Sequence, residues 1–171
     1  EVPILLNPAG ADEPIVVCGQ GPSPAAATIG RFRDLGLSII PGTGLLPACV
    51  PGAFGAWMTV LRDHGTATLA EVLEPAIHYA ANGHPLVPRI SNTIETMREL
   101  FETHWPSSYE VYFPGGQCPQ AGRLFRNPQL AAVYSRILKE AQTVSGREAQ
   151  IERALDCFYR GFVAEEIGRF C

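Results

Sequence analysis

Long apolar runs are missing from this sequence. The longest apolar stretch, from residue 44 to residue 60, is broken by Pro47, Pro51 and several glycines, and none approaches the roughly 20 uninterrupted apolar residues of a membrane span. Charge is scarce too. Only 18% of residues are charged and the net charge is −4, so there is no basic surface of the kind that binds nucleic acid. The five cysteines (Cys18, Cys49, Cys118, Cys157, Cys171) are scattered and odd in number, with no C-x-x-C pair, which argues against a zinc site or a dense disulfide framework. They read as buried, inert thiols that pack as small hydrophobes. His64, His78, His84 and His104 form no H-E-x-x-H and no pair at ligand spacing, so no metal is expected. Gly19-Gln20-Gly21 is half of a dinucleotide fingerprint, but Pro24 holds the third glycine position and no βαβ unit follows, so no nucleotide cofactor is expected either. The chain starts Glu1-Val2-Pro3, without an initiator Met or a charged segment leading into an apolar one. No targeting signal can be read, and the compartment stays open between cytoplasm and periplasm.

What is present is ordinary globular material. With 171 residues, 46% of them hydrophobic, the chain is the size of one domain and buries about 70% of its unfolded surface. Residues 1–22 read as a β element: Ile4-Leu5-Leu6 and Ile15-Val16-Val17 are short β-rich runs separated by turn chemistry at Asn7-Pro8-Ala9-Gly10 and Asp12-Glu13-Pro14, giving a hairpin or two strands. Residues 23–171 read as helical. Pro24 opens a helix that runs from Ala25 to Leu35 and stops at Gly36; a Gly- and Pro-rich loop follows from Ser38 to Gly52.

From Ala53 to His64 the residues Phe54, Trp57, Met58 and Leu61 recur at helical spacing, and Gly65 ends the run. Thr68-Leu69-Ala70-Glu71 fits a capping box, in which the Thr hydroxyl and Glu carboxylate each satisfy an unpaired backbone N–H. That helix should end at Asn82-Gly83. One more helix is expected from Arg89 or Ile90 to Phe101, then irregular chain from Trp105 to Gln120, a helix from Leu130, and two last helices, Arg147 to Phe158 and Phe162 to Phe170, parted at Gly161. The fold class is mainly α with a short N-terminal β element. Two short strands are only marginally stable alone, so chain outside this sequence is expected to complete the sheet.

No residue constellation declares a reaction by itself. Glu165 and Glu166 are neighbours on a helix and diverge by about 100°; together with Asp63 they read as solvated surface charges, while Glu71 serves a cap.

Four segments, in order, resemble the gamma-glutamyltransferase family. The first is Gly21-Pro22-Ser23-Pro24-Ala25-Ala26-Ala27-Thr28, similar to the family's strand-to-helix segment. The second joins Val50-Pro51-Gly52-Ala53-Phe54-Gly55-Ala56-Trp57 to His64-Gly65-Thr66-Ala67-Thr68-Leu69, then to Val72-Leu73-Glu74-Pro75-Ala76-Ile77 and Ala81-Asn82-Gly83-His84-Pro85. The third is Phe125-Arg126-Asn127-Pro128-Gln129-Leu130-Ala131, and the fourth runs from Cys157-Phe158-Tyr159-Arg160-Gly161 to Ile167. Most of these residues read as specifying fold: Pro51-Gly52 sets a turn before a helix, Pro75 and Gly83 shape another, and Gly161 lets helical pieces bend.

The resemblance implies a fragment of an αββα N-terminal nucleophile hydrolase, here one domain of the large-subunit region over residues 1–171. In such enzymes the precursor cuts itself before a Thr, whose new α-amino group activates its own hydroxyl for acyl transfer. That Thr would open a small subunit downstream of Cys171. None of the nine threonines here is N-terminal, so no catalytic residue is assigned within the chain, which is expected to be inactive alone. The partners implied are the remainder of the precursor, the small subunit and a small-molecule amide substrate.

One family site should fall inside the chain. An Arg four residues before the Pro of the first segment holds the substrate's α-carboxylate in the family; counting back from Pro24 reaches Gln20, with Gly21 in place of a Glu. An Arg fork gives a bidentate charged contact where Gln offers one neutral bond of roughly 1 kcal/mol. Gln20 and Gly21 are therefore the candidate substrate-binding residues, with cephalosporin-acylase-like or other small-amide hydrolysis as the rival to gamma-glutamyl chemistry. A helical binding module without catalysis is the reading from a different class. Gln20 also reads as a plain strand-end residue.

Overall fold

The computed structural model describes residues 2–171. Strands β1 (Pro3–Leu6) and β2 (Ile15–Cys18) form an antiparallel hairpin that pairs Ile4 with Val17 and Leu5 with Val16. Its connection turns at Pro8, whose carbonyl accepts from Ala11, and at Gly10 with φ 80°. Opposed residues in such a pair share a face. Ile4 points inward and is buried, whereas Leu5 is 70% exposed with Val16 beside it. The hairpin thus has one packed face and one bare apolar face.

The first helix is shorter than the sequence suggests. Helix α1 spans Ile29–Asp34, because Thr28 acts as its cap and accepts the Arg31 N–H at 3.2 Å, while Pro24 and Ala26 carbonyls take part in preceding turns. Its end follows the glycine signal: Gly36 takes φ 74°, the Leu37 N–H reaches Phe32 and the Gly36 N–H reaches Arg33, a Schellman closure. Residues 38–52 then run as the expected loop. Several apolar side chains here lie open, with Ile29 74% and Ile39 80% exposed. They border an apolar groove of about 600 Å³ floored by Phe32 and Leu37.

Helix α2 (Ala53–His64) buries Phe54, Ala56, Met58 and Leu61, while Trp57 from the predicted stripe is half exposed. It pairs with α8 (Arg147–Tyr159), which buries Ile151, Ala154 and Cys157. Phe54 stacks on Phe158 with ring centroids 4.4 Å apart. The paired helices are also fastened at an end. Arg147, half-buried at the start of α8, donates to the carbonyls of Leu61, Arg62 (3.3 Å), Gly65 (2.7 Å) and Ala67 (2.9 Å). Those carbonyls belong to the end of α2 and the turn after it, where a cation is favoured by the helix dipole. Arg62 of α2 also reaches across to Glu152 of α8 while holding its neighbour Asp63, and its guanidinium keeps the Asp63 carboxyl below its ordinary range. Helix α9 (Phe162–Phe170) follows α8 after Gly161. These segments, up to Leu69 and from Glu140 to Cys171, make one compact unit.

A second unit covers Ala70–Lys139. Helix α3 (Leu69–Asn82) starts right after Thr68 and ends at Gly83 (φ 98°), as the cap signals predict. The expected helix from 89 to 101 is instead two, α4 (Pro88–Thr96) and α5 (Arg98–His104), broken at Met97. Thr93 and Thr96 donate their hydroxyls to the carbonyls of Arg89 and Thr93, bonds that compete with helix propagation. The segment predicted irregular contains α6 (Pro106–Tyr112) and a 3₁₀ turn at Pro114–Gly116. Its Pro106 sits in the first turn, where a missing N–H costs nothing, and Trp105, Tyr109 and Phe113 are spaced four apart across it. Phe113 is buried, stacks on Tyr109 and carries the Arg98 guanidinium 4.3 Å above its ring. A small second sheet, β3 (His84–Pro85) with β4 (Leu124–Phe125), was not anticipated, since strands of two residues leave no alternation to read. Helix α7 (Pro128–Ala141) begins two residues before the predicted Leu130, with Asn127 Oδ1 accepting the Leu130 N–H. Among the described residues, no helix is long and apolar enough to cross a membrane.

The reading of five buried thiols is corrected. Cys18, Cys49 and Cys171 are exposed, Cys118 is half-buried, and Cys157 alone is buried. The first two sit on a strand and loop whose apolar neighbours are themselves uncovered, so there is no core there to enclose them. Burial, with the Glu95 carboxylate nearby, pushes the Cys118 thiol above its ordinary range. In the 171-residue chain a thiol reagent near neutral pH should label Cys18, Cys49 and Cys171 first, Cys118 slowly and Cys157 only on unfolding; rapid labelling of Cys157 in a mass-spectrometric time course would contradict this burial. Arg147→Met should lower stability by about 2 kcal/mol, because four carbonyls lose a charged donor. A shift in the urea midpoint of this chain too small for 0.5 kcal/mol, on the order of the error of such fits, would show that water replaces the guanidinium freely.

Candidate functional site

The hairpin ladder continues one residue past β2: Gly19 N–H donates to the Val2 carbonyl at 2.8 Å and the Val2 N–H returns a bond at 3.3 Å. Gly19 is buried, and a Cβ there would lie 2.6 Å from Val2 and 2.8 Å from Ala56 of α2. Two residues on, Gly21 has φ 79° and passes so near the Val50 carbonyl that a Cβ would sit 1.9 Å from its oxygen. Gly52, at the head of α2, would place a Cβ 2.5 Å from the Gly21 nitrogen. Val50 N–H closes the arrangement on the Pro22 carbonyl at 2.9 Å. The G-x-G of the sequence is thus a steric requirement of a strand end packed on a turn.

Between these glycines Gln20 is displayed outward. Its side chain is exposed and makes no hydrogen bond among the described residues. It lines a cleft of about 300 Å³ with Pro47, Cys49, Val50, Pro51, Gly52 and Ala53. None of these carries charge. The polar capacity of the cleft is one amide, one thiol and backbone groups at the amino end of α2, where the helix dipole favours negative charge. Of the two predicted site residues, Gln20 lines the cleft, and Gly21 packs next to it against Val50 and Gly52. No cluster of three His, Cys, Asp or Glu able to hold a metal occurs among the described residues.

Tyr159, at the end of α8, was quoted in the sequence only as part of a motif. Its hydroxyl accepts the Gly55 N–H at 2.9 Å and donates to the Pro51 carbonyl at 2.8 Å. Gly52 has no side chain to cap α2; the phenol supplies the cap from a residue 104 positions away. No local spacing could have revealed this. Three of the four segments singled out in the sequence meet here, namely those at Gly21, Val50–Gly55 and Tyr159.

The chain is mainly helical, with a small uncharged cleft between a strand end and a helix head. The chain belongs to the gamma-glutamyltranspeptidase family, whose model matches residues 5–171. A glutathione hydrolase-like YwrD proenzyme of Bacillus subtilis (strain 168) is 33% identical over 138 residues, covering 79% of this chain and 24% of that protein. The structure of LmbA2991 superposes with a TM-score of 0.91 at 54% identity, over 98% of this chain and 29% of that one. A cephalosporin acylase from Bacillus halodurans superposes with a TM-score of 0.76 at 27% identity, over 92% of this chain and 28% of its own. The chain therefore spans between about a quarter and a third of the length of these relatives.

Positive φ and close approach act together at Gly21, and the contribution of the contact can be measured against a glycine that has the positive φ alone. Gly10 has φ 80° but open space around it. Gly10→Ala should cost about 1 kcal/mol from backbone strain alone, and Gly21→Ala at least about twice that, since the chain at Val50 must also move. Equal denaturation midpoints for the two variants would mean that the Gly21–Val50 contact is soft.

Proposed function

We propose that this chain is part of the large-subunit region of a gamma-glutamyltransferase-like N-terminal-threonine hydrolase or acyltransferase precursor acting on gamma-glutamyl or related amide bonds. In this reading residues 1–171 are one domain of an αββα enzyme, and Gln20 with Gly21 meets the acyl group. The observation that carries it is the meeting of three family-like segments around the turn at residues 50–52 that walls the cleft, with Gln20 exposed in that cleft. The nucleophilic Thr lies in the remainder of the precursor, and this chain contributes substrate recognition.

The bare face of the hairpin at Leu5 and Val16, together with the open apolar loop at Ile39 and Ile40, fits a partner role. Exposed apolar area on this scale is what interacting surfaces leave behind when seen alone. The remainder of the precursor would cover it and complete the sheet.

Within this reading the uncharged lining favours substrates whose acyl part lacks a strong demand for a cationic partner, so hydrolysis of amides other than glutathione is the specific alternative. The named relatives include both a glutathione hydrolase-like proenzyme and a cephalosporin acylase.

The test restores the charge. In the complete, self-processed enzyme Gln20→Arg should raise kcat/KM for a gamma-glutamyl amide over its decarboxylated analogue by about tenfold, since a charge-assisted bond replaces a neutral one. An unchanged ratio would leave Gln20 as a strand-end residue with no part in recognition.

A further inference from the structure

We propose that Tyr159 is the positioning residue of the cleft, setting the wall against which the substrate's acyl part is held; this rests on the reading of the Gln20 cleft as the acyl pocket. The hydroxyl uses both of its capacities on one short stretch of backbone, accepting from Gly55 and donating to Pro51. Pro51 has no N–H of its own, so its carbonyl is the handle by which this residue can be held. Gly55 is shaped to receive the phenol: a Cβ there would lie 2.7 Å from the hydroxyl oxygen.

Tyr159 does not line the cleft itself; Pro51 and Gly52 do. Gly52 abuts the Gly21 nitrogen, and Gly21 fixes where Gln20 projects. The path from phenol to amide therefore runs through three backbone contacts with almost no side chain that could absorb a shift. The ring is steadied in turn by an edge contact to Phe158, which stacks on Phe54 of α2. Removing the hydroxyl oxygen keeps that ring packing but frees Pro51 and the first turn of α2. The expected consequence is a cleft that samples more than one width, which weakens substrate binding without touching the reacting atoms.

The experiment uses the complete, self-processed enzyme with active sites counted by titration. Tyr159→Phe should raise KM for a gamma-glutamyl amide roughly fivefold, with kcat per active site within about twofold of the parent. The effect should be smaller on the decarboxylated analogue. Gly55→Ala, which keeps the phenol but pushes it off the Gly55 N–H, should show the same pattern and serves if the first variant does not fold. Unchanged KM in the variants that fold overturns the proposal, as does a fall in active-site count with KM intact, the mark of a merely structural bond. Gln20→Ala, measured alongside, separates the two readings. If it leaves KM unchanged while Tyr159→Phe raises it, Tyr159 positions the cleft and Gln20 does not read the substrate; the reverse pattern removes Tyr159 and keeps Gln20.

Discussion

The antiparallel pairing of α2 and α8 is the constraint on which the first compact unit depends. Neither helix is strongly defined by its own caps. The α2 head is Gly52 and the α8 head is Gly146, and neither makes a side-chain capping bond. Each end of α2 is finished by α8 instead. Arg147, at the start of α8, holds the Leu61 and Arg62 carbonyls at the end of α2, and Tyr159, at its close, holds the Gly55 amide in the first turn. Helix ends leave about four unpaired groups each, so the pairing satisfies through tertiary contact what the local sequence leaves open. Between the two clamps each helix buries apolar residues, Phe54, Met58 and Leu61 on α2 and Ile151 and Ala154 on α8, and Phe54 stacks on Phe158.

The candidate site inherits its geometry from that clamp. The head of α2 is also the wall of the cleft, and the strand end that presents Gln20 rests on the same turn through Gly19, Gly21 and Gly52. Backbone against backbone leaves little room for adjustment. The cleft carries no charge of its own. Gln20 stands where the resemblance to the family leads one to expect an Arg.

The hairpin and the loop after α1 have a different character. Ile4 is anchored, yet Leu5, Ile29 and Ile39 stand in the open. A two-stranded sheet with one apolar face exposed is marginal in water, and a chain that spans 24% of one relative and 29% of another need not satisfy its surfaces alone. The same exposure accounts for the thiols of Cys18 and Cys49, which the composition alone suggested would be buried.

Much of the fold was legible. Short β-rich runs between turn residues gave both hairpin strands, and periodicity gave α2, α8 and α9 within a residue. Cap signals set both ends of α3, while Gly36 gave the end of α1. The misses have physical causes. Thr28 was counted inside α1 because its hydroxyl's choice between helix and cap depends on the backbone it meets. Met97 breaks a helix through bonds made by Thr93 and Thr96, and α6 was hidden behind Pro106 and two serines. What the sequence by itself determined was the local periodicity, the turn glycines and the family-like segments that pointed to Gln20. Only the tertiary structure decided that Gly19 and Gly21 are there for close packing, and that Tyr159 caps a helix more than a hundred residues earlier in the chain. Contacts of that separation leave no periodic trace, because the two groups share no spacing along the chain and meet only when α2 and α8 pack.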